Sequence, residues 1–184
     1  MPFHGKPSQP RLFDPLDRDD IDKTKPIIAY HITDRDFTVF NTKQEGRFGS
    51  HFGTEDTLKR IAASTGKDLN KLRTLKVNLD IRNPLRMPDL EHWTPKDIAA
   101  YLKQNGIEVK PRRFQGSLYW TLEDIIKHLQ SIGYDGIVYN NKYEGGGDSY
   151  IAFEPTQISI LSEMGSDPLD RYVDLCNLSA EDKK

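Results

Sequence analysis

The 184-residue sequence predicts one α+β domain, with helices packed on a small split β-sheet. Three observations carry that expectation. Short apolar or alternating runs recur as "PIIAYHI", "TLKVNLDI", "GIVYN", "SYIAF" and "QISIL". Three longer stretches repeat their apolar residues at helical spacing, two of them bounded by both a start and a stop signal. The order is strand, helix, strand, helices, strands, and not a regular βα alternation.

Residues 1–25 read as a flexible or loosely docked arm, with four prolines and the acidic stretch "DPLDRDDID". The domain proper is expected over 26–165, followed by a C-terminal extension over 166–184. "PIIAYHI" (26–32) is a strand with Pro26 at its entrance. "FTVF" (37–40) is a weaker extended or turn segment, and "GRFGSHFGT" is an irregular loop before a helix. In "FGTEDTLKRIAAS", Leu58, Ile61 and Ala62 share a helical face. Thr54 caps that helix, and Glu55 and Asp56 suit its positive end. "TLKVNLDI" (74–81) turns Leu75, Val77, Leu79 and Ile81 to one side, as a half-buried strand does.

Two further helices follow "RNPLRMPDL". The first has Thr94 as cap, Pro95 at its first position, an Ile98–Tyr101–Leu102 stripe and Gly106 as stop. The second has Thr121 as cap and Gly133 as stop, with Leu122, Ile125, Ile126, Leu129 and Ile132 facing inward. Three short strands complete the core. "DPLDRYVDLC" is expected to form a short docked helix, and "SAEDKK" a frayed end.

Composition narrows the function classes. Lysine and arginine number 26 against 28 acidic residues, a net charge of −2, which gives no reason to expect a general phosphate-tracking surface. The local basic stretch "KPRRFQ" (110–115) suits either a nucleic acid or an acidic protein. The single cysteine, Cys176, rules out a disulfide framework within the monomer. No run approaches the ~20 apolar residues of a transmembrane helix, so no membrane partner is expected. The first residues lack the apolar core of a Sec-type signal.

Of the five histidines, none has a zinc-ligand spacing, and no metal is expected. No phosphate-binding GxxxxGK[ST] and no dinucleotide-fold GxGxxG is found. His31 ends an apolar strand, where a semi-buried histidine or a fixed donor at a rim are both natural readings. His51 lies among Gly46, Gly49 and Gly53, which allow close backbone approach to a ligand or to another segment. The run "EGGGDSY" is either a hairpin turn or a loop that clears a ligand, beside which Glu144, Asp148 and Ser149 would lie. A carboxylate there could hold a ribose hydroxyl or stabilise developing positive charge.

Four blocks in order then resemble the ADP-ribosyltransferase superfamily, above all the small phage and bacterial domains found in polyvalent proteins and effectors. They are "AYHITDRDFTVF", "EGRFGSHFGTEDTLKRIA", "LKVNLDIRNPLRM" and "IGYDGIVYNNKYEGGGDSYIAFEPTQI". The resemblance spans about residues 27–161, and the last block is its strongest part. It implies a split-sheet core and NAD as substrate. His31 matches the first-motif histidine, which holds the adenosine-side ribose and the nicotinamide amide region. His51 falls where the superfamily places a tyrosine packed on nicotinamide, with Phe52 as the next candidate for stacking. Ser149 occupies the slot of the third-motif glutamate, so the chain departs from the histidine–tyrosine–glutamate pattern at two of three positions. Glu144 or Asp148 would then supply the acid. Thr33 and Arg35 lie by the first motif, with Arg47 a looser match, for contacts that include the diphosphate. Tyr150 lines the implied pocket, and Gln157 matches a glutamine at the last strand.

What the resemblance implies is a mono-ADP-ribosyltransferase that releases nicotinamide and modifies a protein acceptor, less readily a nucleic acid. An NAD glycohydrolase and a non-catalytic partner-binding domain are the rival readings. A bacterial effector or toxin, or a phage protein, would act in the cytoplasm of the producing cell or, after delivery, of a host.

Overall fold

A computed structural model describes residues 26–33, 35–43, 48–65, 72–90, 92–142, 146–164 and 173–174. The expected N-terminal arm, most of the C-terminal extension, Cys176 and Glu144 lie outside these residues.

The chain runs β1 (Ile27–Thr33), β2 (Ser50–Gly53), α1 (Glu55–Thr65), β3 (Arg73–Leu79) and β4 (Pro84–Met87). It continues through α2 (Pro95–Gln104), β5 (Arg112–Phe114), β6 (Ser117–Tyr119) and α3 (Leu122–Ser131). It ends with β7 (Gly136–Asn140), β8 (Asp148–Ala152), β9 (Ile158–Met164) and β10 (Val173–Asp174). Eight strands form a mixed sheet in the order β10-β9-β3-β1-β2-β8-β7-β4. This is the expected α+β architecture, with a split core.

The split has a definite place. β1 pairs with β3 along seven residues, from Ile27↔Leu79 to Thr33↔Arg73. β2 pairs with β8 along four, from Ser50↔Ala152 to Gly53↔Ser149. Between β1 and β2 the register holds at one pair, Tyr30↔Gly53. Two half-sheets therefore meet at a seam and diverge from it.

Each half has its own core. Leu75, Val77, Leu79 and Ile81, the alternating set predicted for one side, are all buried with Ala29, Phe40 and Phe52. The other core packs α2 and α3 onto the second half-sheet, through Ile98, Leu102, Ile125, Leu129, Ile137 and Ile151. Both helices start as expected. Thr94 Oγ1 accepts from Asp97 N at 3.2 Å, and Thr121 Oγ1 from Asp124 N at 3.1 Å. Gly106 and Gly133 both take positive φ just past the helix ends.

The structure corrects several expectations. "SHFG" is strand β2, not an irregular loop: it is too short to show a period, and its partner β8 lies about 100 residues away in sequence. β4 lies within "NPLRM", where no strand was expected. It pairs in parallel with β7, a register reached only by a long crossover through α2 and α3. The basic stretch at 110–115 is half of a separate β5–β6 hairpin, closed by Gln115 (φ 47°) and Gly116 (φ 81°). Ile132 caps α3 and is 47% exposed, not inward-facing, because the helix ends at Ser131. Val173 and Asp174, in the segment expected to be helical, pair as a strand with Glu163 and Ser162.

These placements give a paired test of α3. Leu129→Ala, at a fully buried site, should cost about 2–5 kcal/mol. Ile132→Ala should cost about 0.5 kcal/mol or less. Urea denaturation of both variants measures the contrast, and equal losses would contradict the orientation of the helix.

Candidate functional site

The seam between the half-sheets opens into a small cavity of about 240 Å3. Its walls include His31 and Ile32 from β1, His51 from β2, Thr57 from α1, and Tyr139 and Ser149 from β7 and β8. His31 Nδ1 lies 2.9 Å from the carbonyl oxygen of His51. A carbonyl can only accept, so Nδ1 carries a proton and donates it. The ring is also wedged edge-on against Phe40 at 5.2 Å and Phe37 at 6.3 Å, and tilted on Phe52 at 5.6 Å. A side chain from one half-sheet is thus tied to the backbone of the other just beyond their single register pair.

His51 has its own partners. Its Nδ1 lies 3.2 Å from the Tyr139 hydroxyl, and its ring meets Trp93 edge-on at 5.9 Å. Trp93 is in turn tilted against Tyr139 at 4.9 Å and stacked on Phe48 at 6.0 Å.

His31 and His51 also line a wider cleft of about 1580 Å3. Its rim carries both signs of charge, with Asp36, Glu123 and Glu154 against Arg35, Lys43 and Lys127. Lys43 pairs with Glu154 at 3.1 Å and Lys127 with Glu123 at 2.6 Å. Arg35 makes no ion pair among the described residues. Thr33 lines the same cleft, its hydroxyl accepting from Arg35 N at 3.1 Å.

The glycine-rich loop joins β7 to β8 and has a pinned base. Asn141 N donates to Gly147 O at 2.9 Å, and Gly146 N to Asn141 O at 2.6 Å. The Thr57 hydroxyl donates to Gly146 O at 3.3 Å, tying the base to α1. Gly146 and Gly147 take φ of 85° and 94°, a region that disfavours any side chain. A Cβ on Gly147 would lie 3.0 Å from Thr57 Oγ1.

Strand alternation then sorts the residues of β8. Ser149 faces the seam, 2% exposed, with Asn141 Nδ2 3.4 Å from its hydroxyl. Asp148 and Tyr150 face the other side of the sheet. There the Asp148 carboxylate meets Arg86, with Nη1–Oδ1 at 3.1 Å and Nη2–Oδ2 at 3.3 Å. Burial pushes the Tyr150 phenol up, Asp148 adds to that, and Arg86 opposes it. Neither residue lines the cavity or the cleft.

Gln157 lines neither as well. Its amide oxygen accepts from Phe153 N at 3.0 Å and Glu154 N at 2.9 Å. Its amide nitrogen donates to Asp135 O at 2.8 Å and Asp80 O at 3.3 Å. One side chain thus joins the exit of β8 to the turns after β3 and before β7.

The seam cavity therefore brings together His31, His51, Ser149 and, as a buried wall, Phe52, while Thr33 and Arg35 line the wider cleft that shares the two histidines. It does not gather Asp148, Tyr150 or Gln157. Glu144 and Arg47 lie outside the described residues. Sequence reasoning passed over Tyr139, Asn141 and Thr57 as site residues. For Tyr139 a signal existed: pairing "GIVYN" with "DSYIA" as neighbouring strands would have put it opposite Ser149.

Two substitutions test this arrangement. Gly147→Ala should destabilise the chain by about 1 kcal/mol or more, through positive φ and the contact with Thr57. Gln157→Leu should lower stability by about 1–3 kcal/mol, because two backbone N–H groups lose their acceptor. Thermal unfolding reads both, and an unchanged midpoint for either would contradict its assigned role.

The family model described as ADP-Ribosyltransferase in polyvalent proteins matches residues 22–166. No curated protein and no solved structure matches the chain. The matched span takes in both half-sheets through β9 and every residue of the seam named above. The chain belongs to the ADP-ribosyltransferase family of polyvalent proteins.

Proposed function

We propose that this protein cleaves NAD at the seam and transfers ADP-ribose to a protein acceptor. The observation that carries this reading is the convergence of three distant positions, His31, His51 and Ser149, on one cavity. They are the positions where the family resemblance expects its three motif residues. The adjoining cleft, about 1580 Å3, exceeds the ~300–1,000 Å3 of ordinary small-molecule sites. It offers room for a dinucleotide with part of an acceptor, and its Arg35 and Lys43 suit a diphosphate.

In the reaction the bond between nicotinamide and ribose breaks, and its electron pair leaves with nicotinamide. Positive charge develops on the sugar, and the acceptor nucleophile bonds at that carbon and gives up its proton. What the protein must supply is orientation and a negative charge near the developing cation. His31, held by its carbonyl partner and three aromatic rings, is a rigid contact for the substrate. Trp93 and Tyr139 supply aromatic surface beside His51.

The acid role falls to Glu144. Asp148 is engaged by Arg86 on the face away from the cavity. Ser149, in the slot of the family glutamate, carries no charge. In sequence, Glu144 lies between Asn141 and Gly146, whose backbones are joined by a hydrogen bond and of which Gly146 is tied to Thr57.

Nicotinamide release from NAD by the purified chain tests the reading. Wild type should release nicotinamide, and His31→Ala and Glu144→Ala should each lower the rate about 100-fold or more. Asp148→Ala should lower stability and leave a far larger share of the rate. No release together with no NAD binding by wild type would overturn the proposal. Release with Asp148→Ala dead and Glu144→Ala active would reassign the acid.

A further inference from the structure

In the β5–β6 hairpin every residue from Arg112 to Tyr119 is exposed. Phe114, Leu118 and Tyr119, at 62%, 54% and 40% exposure, are three of the six large apolar side chains that stand in solvent among the described residues. A two-stranded hairpin is marginal by itself, so this one is held from its foot. Trp120 Nε1 donates to Val109 O at 2.9 Å across the base. Arg112 Nη2 donates to the Asp124 carboxylate, in the first turn of α3, at 2.6 Å. Phe114 and Leu118 belong to neither core, and each strand keeps one edge without a neighbouring strand. Apolar side chains clustered in solvent mark a surface that meets a partner.

Charge and register say which partner. Between Val109 and Tyr119 stand Lys110, Arg112 and Arg113 and no carboxylate, on a chain whose net charge is −2. Asp124 engages Arg112, while Lys110 and Arg113 make no ion pair among the described residues. Arg113 pairs across the hairpin with Leu118 on one side, and Phe114 and Tyr119 share the other side with Arg112. A platform for single-stranded nucleic acid sets free cations beside aromatic faces. Here the cation beside the aromatic rings is the one that Asp124 holds, and the free Arg113 lies beside a leucine. That combination suits a protein segment that carries both carboxylates and apolar side chains.

We infer that the β5–β6 hairpin docks an acidic segment, interspersed with apolar side chains, of the acceptor protein. β6 leads through Trp120 into Thr121, Leu122 and Glu123, which line the wide cleft. A segment held on the hairpin is thereby brought to the edge of the cleft. Opposite charge steers it there, and desolvated apolar contacts hold it. That the segment belongs to the acceptor rests on the reading proposed above, while the surface itself rests on exposure, charge and register.

The test titrates the full chain, labelled with 15N, with a short peptide that alternates glutamate and leucine. A lysine–leucine peptide and an oligothymidylate are the controls. Backbone signals of residues 110–119 should shift with the glutamate–leucine peptide alone, and less so as salt is raised. Arg113→Glu and Leu118→Ser should each weaken that binding about tenfold or more. Both sites are exposed, and the signals of the rest of the chain report that each variant is folded. No shift at the hairpin, or binding that both substitutions leave unchanged, would overturn the inference. So would an equal response to the lysine–leucine peptide. Stronger binding of the oligothymidylate would overturn it in favour of a nucleic acid. Hairpin shifts that depend on protein concentration without peptide would overturn it in favour of a second copy of the chain. With NAD alone, both variants should release nicotinamide within about twofold of the wild-type rate, because neither residue lines the cavity or the cleft. If wild type binds the peptide and releases no nicotinamide, the functional reading fails and the docking surface stands.

Discussion

The structure turns on the single backbone register between β1 and β2, Tyr30↔Gly53. A continuous ladder would close the sheet there and leave no cavity between the halves. With one pair, the two halves stay attached and diverge. The His31–His51 contact then does the work that further ladder bonds would do elsewhere, using a side chain in place of a backbone N–H. A net hydrogen bond contributes only about 0.5–1.5 kcal/mol, so this seam is a weak joint by itself. Its definition comes from the packing on either side, with Phe37, Phe40 and Phe52 against His31, and Trp93 and Tyr139 against His51.

The rest of the molecule holds the two sides of that joint in place. Gln157 and Asp135 clamp three turns far from the cavity. Gln157 bonds to the backbone of Asp80, Asp135, Phe153 and Glu154, and the Asp135 carboxylate accepts from Arg82 N and Asn83 N at 2.7 and 2.8 Å. Arg73 performs a similar service at the other half-sheet. It pairs with Glu163 of β9 and donates to Phe37 O at 2.9 Å, behind the aromatic wall of His31. Hydrogen bonds to its carboxylate partner hold the Arg73 guanidinium above its ordinary range, so it stays charged across all ordinary pH. Gln157, Asp135 and Arg73 thus fix backbone from outside the cavity and the cleft.

The glycine run follows the same logic. Gly146 and Gly147 are needed for positive φ, and Gly147 also for close approach to Thr57, and this holds whether or not a ligand is near. Gly146 and Gly147 thus do what a tight turn requires, and neither lines the cavity or the cleft. The side-chain sorting along β8 is equally strict. One residue separates Asp148 from Ser149, and that step carries the carboxylate to the opposite face.

The sequence by itself determined much of the fold: the helix caps at Thr94 and Thr121, the buried alternation from Leu75 to Ile81, and the α+β order. Each is local, set by spacing and by hydrogen bonds within a few residues. It also placed His31, His51 and Ser149 as candidates, through blocks that resemble a family. Only the tertiary structure decided which candidates meet. β2 and β4 are strands because of partners 50 to 100 residues away. Gln157 reads as a motif residue in the chain and is a backbone clamp in the fold. Tyr139 lies in the last of the resembling blocks without a role assigned to it there, and the fold stands it beside His51. Which side of a sheet a residue faces depends on register, and register is a property of two strands together, which neither one encodes alone.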